Sequence, residues 1–192
     1  MAYLSASTIC TILGIDYSDP VIEAEVDALV PVIEDLIDDH VGCTLTPQEG
    51  LSFFYNGTGI ETLVLGRYLR EITSCEIVDE DGVVQETLDV TVQPIETKIE
   101  AYKWLRVRSD VFPIGEANIK VTGNWGLSPT PHAINAAAAF ILKNMFDMRK
   151  RDATVMSESS NSKSTMYDKD TMLIPPVSKA ILAKYINRSY MV

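Results

Sequence analysis

The side chains most able to do chemistry in this sequence are few and scattered. Its two histidines, His40 and His132, stand alone, and its three cysteines, Cys10, Cys43 and Cys75, include no Cys-x-x-Cys pair. That spacing supports no zinc site, and an odd number of widely separated thiols fits a reducing, cytosolic setting better than a disulfide framework. His132, between Pro131 and Ala133, reads as a turn residue rather than a ligand. Asp79-Glu80-Asp81-Gly82 could offer carboxylates to calcium, but the remaining spacing of an EF-hand loop is missing, so a plain turn is favoured. Gly57-Thr58-Gly59 lacks the third glycine and the following helix of a nucleotide-binding loop. No Gly-x-Ser-x-Gly elbow, His-Glu-x-x-His helix or P-loop occurs. Carboxylates are abundant without forming an evident dyad, which disfavours a metal-dependent hydrolase built on Asp79 and Asp81. The reading is of a protein that is not an enzyme, with no catalytic, cofactor-binding or metal residues.

The basic run Arg149-Lys150-Arg151 closes an apolar helical stretch. Cations at a helix C-terminus interact favourably with its dipole, and three charges without interleaved aromatics bind phosphate weakly. A helix end is therefore preferred, with a DNA-binding module acting through Arg149 to Arg151 as the alternative.

Composition bounds the elements that could carry a function. The chain has 192 residues, 46% of them hydrophobic, enough for one real core and a satellite subdomain. It contains no apolar run long enough to predict a membrane span, and Met1 to Ser5 lack the basic and apolar regions of a signal peptide. The net charge of −11 is uneven. Residues 1–102 hold 20 acidic and 3 basic side chains, whereas residues 103–192 hold 7 and 13. Such asymmetry suits either a solvated face or a subunit whose two ends meet different partners.

Ser5 and Gly14 bracket a short helix over 5–13, and Asp19-Pro20 opens a second over 19–41 that Gly42 ends. In the second, Ile22, Val26, Leu29, Val30, Ile33, Leu36, Ile37 and Val41 form an apolar stripe, interrupted by Pro31, which predicts a kink or a lost hydrogen bond. Its other face is acidic, with Glu34, Asp35, Asp38 and Asp39 among its residues; a solvated helix face is favoured over a lining that repels phosphate. From Leu51 the period becomes that of strands: Leu51–Tyr55, Thr62–Leu65, Glu71–Val78, Val83–Leu88, Val90 and Val92, Trp104–Val107 and Ile119–Thr122. Trp125 and Gly126 read as a turn, and Pro129 and Pro131 pre-set φ for a helix beginning near residue 131. That helix carries the run Ala136, Ala137, Ala138 and Ala139, small enough to let another backbone approach. The polar stretch 153–170 predicts a mobile loop, and Pro175-Pro176 a final helix over Val177–Tyr190.

The expected fold class is therefore α+β: a helical bundle with an inserted small antiparallel β subdomain and a C-terminal helix after a mobile loop. Residues 1–152 would form one domain, with helices over 5–13, 19–41 and 131–152 and the β insertion over 51–123; residues 153–192 would hold the loop and last helix.

This order, with three local phrases, resembles the head–tail connector (adaptor, or head-completion) proteins of long-tailed bacteriophages. The phrases are Leu13-Gly14-Ile15-Asp16 leading into the amphipathic helix, Ile119 to Gly126 with Pro131, Ile134 and the alanines, and Pro175-Pro176-Val177 with Ile181, Leu182, Tyr185 and Arg188. Asn124-Trp125-Gly126 departs from the family's commoner small–Gly–aromatic order. The resemblance implies a virion protein of the neck, assembled in the host cytoplasm as a homo-oligomeric ring, commonly of twelve subunits. Such a ring binds beneath the portal, contacts a downstream neck or tail protein, and extends the DNA channel for genome retention and ejection, without sequence-specific DNA contacts, membrane or cofactor. A stopper or tail-terminator is the alternative neck role. The resemblance places portal contact at Pro175, Val177, Ile181, Leu182, Tyr185, Ile186 and Arg188. Residues 136–139 then become candidates for subunit packing, and Glu34, Asp35, Asp38 and Asp39 for a channel or outer acidic face.

Overall fold

A computed structural model describes residues 3–94, 101–108, 110–149, 157–160, 163–166 and 173–186. It overturns the expected helical bundle. Among the described residues the dominant element is a six-stranded antiparallel sheet, accompanied by four helices, with helix and strand contents about equal. The chain divides into two compact units, one built on Cys43–Pro129 and the other on Ala2–Gly42 with Thr130–Ile186.

The sheet unit contains β1 (Gln48–Gly57), β2 (Thr62–Val78), β3 (Val84–Thr87), β4 (Val90–Pro94), β5 (Tyr102–Val107) and β6 (Gly115–Trp125). The strand order is β1-β6-β2-β5-β4, with β3 also pairing with β2. The strands run longer than the expected segments, because a glycine can bend a strand without ending it. Gly66, at φ 62°, lies inside the 17-residue β2, whose first part pairs with β5 and whose second pairs with β6 and β3. One strand thereby carries the sheet around a single core: Leu63, Leu65, Leu69, Cys75, Leu105, Val107, Phe112, Ile119, Val121 and Trp125 all face it.

Trp125, expected in a turn, is the last residue of β6 and is buried. Its Nε1 donates to the Leu51 carbonyl at 2.9 Å, and its ring meets that of Phe53 edge-on at 4.9 Å. The following Gly126 is obligatory. At φ 83°, it brings the backbone so close to residues 45–46 that a Cβ would lie 2.2 Å from the Thr46 carbonyl oxygen.

In the helical unit the first three helices follow the sequence signals, whereas the last, expected over 177–190, spans only Pro176–Leu182, with residues 187–190 outside the described residues. Ser5 accepts from Thr8 N to cap α1 (Ala6–Leu13), and Gly14 ends it in the left-handed conformation. Asp19 caps α2 (Pro20–Val41) by accepting from Val21 N at 2.9 Å, and α2 runs on through Pro31 to Gly42. Val26, Val30, Ile33, Ile37 and Val41 form its buried stripe. Helix α3 (His132–Arg149) packs against α1, α2 and α4 (Pro176–Leu182). The polar stretch expected as a loop contains two antiparallel strands, β7 (Ser157–Ser160) and β8 (Lys163–Met166). Backbone pairing can close a hairpin without an apolar side chain, which a composition argument does not weigh. Residues 150–156 and 187–192, including Lys150, Arg151 and Arg188, lie outside the described residues.

Candidate functional site

The residues singled out by the sequence fall into three groups. Ala137, Ala138 and Ala139 are wholly buried and Ala136 is half-buried. Their face is occupied within the subunit: Ser178, itself buried on α4, donates its hydroxyl to the Ala137 carbonyl at 2.9 Å. Small side chains here let α4 approach close enough for that bond.

The C-terminal apolar set is divided. Leu182 and Tyr185 are buried in the helical unit, Pro175, Ile181 and Ile186 are half-buried, and Val177 is exposed. The structure thus groups Leu182 and Tyr185 with the unit's own core and leaves Val177 facing water.

The acidic face also separates. Asp35 and Asp39 are exposed, whereas Glu34 and Asp38 hold the segment before α1. One Glu34 carboxylate oxygen accepts from the backbone amides of Tyr3 and Leu4 at 2.6 and 2.8 Å. The Tyr3 hydroxyl donates to Asp38 Oδ1 at 3.1 Å, and the Thr130 hydroxyl donates to the Tyr3 carbonyl at 2.7 Å. Burial, with Asp38 and Glu34 alongside, drives the Tyr3 hydroxyl pKa well above its ordinary value. Sequence reasoning missed this clamp because its donors are backbone amides about thirty residues away in sequence.

Groups with latent reactivity are muted by their surroundings. Burial pushes the Cys75 thiol up to about 12 and raises Cys10 as well, so both remain protonated and poor nucleophiles. His40 has a lowered pKa, first from burial and then from the nearby charge of Lys179. Lys103 is buried with its ammonium 4.5 Å from the Tyr68 ring centroid, and burial lowers its pKa. Arg70 donates through Nε to the Trp125 carbonyl at 3.2 Å, and Arg67 lies over the Phe53 ring. Among the described residues no three His, Cys, Asp or Glu side chains gather as metal ligands. Asp79 accepts from Val83 N at 2.8 Å and Asp81 N at 3.1 Å, which spends one of its oxygens on a turn. No helix among the described residues is long and apolar enough to cross a membrane.

The loop end of the sheet unit was not anticipated from the sequence. Gly59 N donates to the Phe112 carbonyl at 2.8 Å and Phe112 N to the Ile60 carbonyl at 3.0 Å, tying the β1–β2 connection to the segment before β6. Asn118 locks the same corner, accepting from Gly57 N at 2.8 Å and donating to the Pro113 carbonyl at 2.9 Å. From this fixed framework Ile114 projects with 83% of its surface exposed, and Ile60 and Val83 are also exposed. The available signal was an isoleucine within Pro113-Ile114-Gly115, an apolar side chain where turn chemistry selects polar ones.

No family model and no curated protein matches this chain.

Proposed function

We propose that this protein is a structural subunit of the ring joining the portal to the tail of a long-tailed bacteriophage, and that it performs no catalysis. The observation carrying the proposal is the junction from β6 into α3. A strand ends on a buried tryptophan, turns at an obligatory glycine, and restarts after Pro131 as an alanine-rich helix. This junction sits within the helix order of the connector resemblance, α1, acidic α2, proline-started α3 and a last helix, although a six-stranded sheet stands where a small β insertion was expected and β7–β8 where a polar loop was. Heterologous head-to-tail contacts that close make rings. A net charge of −11 would keep duplex DNA from adhering to a channel wall, because phosphate affinity grows with each Lys or Arg contacted. In this role the protein would bind the portal on one side and a neck or tail protein on the other.

The test is the mass of the purified protein alone and mixed with a portal ring, with symmetry counted from class-averaged images. A closed ring, commonly twelvefold in the resembled family, is expected beneath the portal. A protein that remains monomeric beside the portal removes the proposal.

A further inference from the structure

The loop end of the sheet unit combines features usually found apart. It is rigidly built: besides the bonds through Phe112 and Asn118, Ala117 N donates to Asn56 Oδ1 at 2.8 Å, and a Cβ on Gly57 would lie 1.7 Å from the Pro113 carbonyl oxygen. Yet it exposes Ile114, Ile60 (56%) and Val83 (57%), large apolar side chains that turns ordinarily avoid. Ile114 stands in a concavity of about 530 Å³ that Glu80, Asp81, Glu116 and Asp79 also line, with no Lys or Arg among the lining residues. An apolar centre within carboxylates fits a partner surface that is apolar and basic. A preorganised surface also loses little entropy when it docks.

The chain itself carries the complement. Phe146-Asp147-Met148-Arg149-Lys150-Arg151 joins bulky apolar residues to the longest basic run of the sequence. We infer that the acidic loop end around Ile114 receives the Arg149 to Arg151 run of a second copy. This inference rests on the ring reading and specifies one contact within it. The two surfaces are different, so each copy offers one and uses the other, and the contact repeats from copy to copy.

The experiment uses the full-length chain and two charge reversals, with mass read by light scattering and sedimentation. One variant carries Glu80→Lys, Asp81→Lys and Glu116→Lys; Asp79 is kept because it holds its turn. The other carries Arg149→Glu, Lys150→Glu and Arg151→Glu. Each variant alone should lose about tenfold or more in self-association, and Ile114→Asp should do the same. Mixing the two reversed variants should restore assembly, because each then meets an opposite charge at both of its surfaces. A variant that merely misfolds is not rescued by mixing. If the wild type assembles while both reversals and Ile114→Asp leave the mass unchanged, as they would were the run bound within its own copy or another surface used, this contact is overturned and the ring reading stands. If the wild type is monomeric at every concentration and beside the portal, both fall.

Discussion

In the helical unit, Ala137, Ala138, Leu182 and Tyr185 are sealed from water by their own subunit, and Glu34 is engaged by backbone amides. In the sheet unit, Ile114, Ile60 and Val83 remain in water although the loops bearing them are fixed by hydrogen bonds. The contrast separates conspicuousness from availability. Runs of alanine, acid or apolar residues at helical spacing attract attention in a sequence because they are regular, and regularity is what packing demands. A side chain open to a partner breaks the local pattern. Of the residues compared, those of the helical unit are spent on its own packing, whereas those of the sheet unit's loop end are left open.

The sharpest way to break this contrast is to remove the centre of the sheet unit's core. Trp125→Ala deletes a buried indole, its bond to the Leu51 carbonyl and its edge contact with Phe53. A loss of about 3–5 kcal/mol is expected, read as lost hydrogen-exchange protection at β1, β2 and β6. A cost under about 1 kcal/mol would mean that the core does not depend on this residue.

A smaller effect divides the acidic face of α2. Glu34→Ala leaves the buried amides of Tyr3 and Leu4 without their carboxylate acceptor and should cost about 2–3 kcal/mol in chemical denaturation. Asp35→Ala, one position along and exposed, should stay within about 0.5 kcal/mol. Equal costs at the two positions would show that the face acts as one electrostatic surface and would cancel the distinction drawn between them.

The first three helices were legible in the sequence because caps and periodicity act over a few residues, whereas the last, expected over 177–190, ends at Leu182. Ser5, Gly14, Asp19 and Gly42 mark α1 and α2, and the buried positions of α2 fall within the predicted stripe. The sheet was legible in its segments but not in its size. Whether Gly66 ends a strand or bends it is decided by the partners on either side, β5 and β6, which lie far away in sequence. The same holds for Trp125, whose burial depends on Leu51 and Phe53. For the candidate surfaces, residue type was visible and role was not. Glu34 and Asp35 are adjacent acids on one helix, and only the return of the Tyr3–Leu4 segment makes the first structural.

The mildest test concerns the helical unit's dependence on pH. His40 lies near the end of α2 with Nε2 buried and without a hydrogen-bond partner among the described residues, and Lys179 places a positive charge nearby. Burial, then that charge, lowers the folded pKa below the ordinary value of about 6.5. As pH falls, the unfolded chain takes up the proton first, so the unfolded state binds more protons and stability declines. The contribution is intact above about 6.5 and is lost progressively below it, down to the depressed folded value. His40→Gln removes the titration while keeping a polar side chain of similar reach. Its stability should therefore fall less than that of the wild type between about pH 7 and pH 5, above most carboxylate titration. Parallel curves for the two proteins would mean that His40 is solvated in the folded state and that the helical unit is less sealed than its buried alanines and tyrosine indicate.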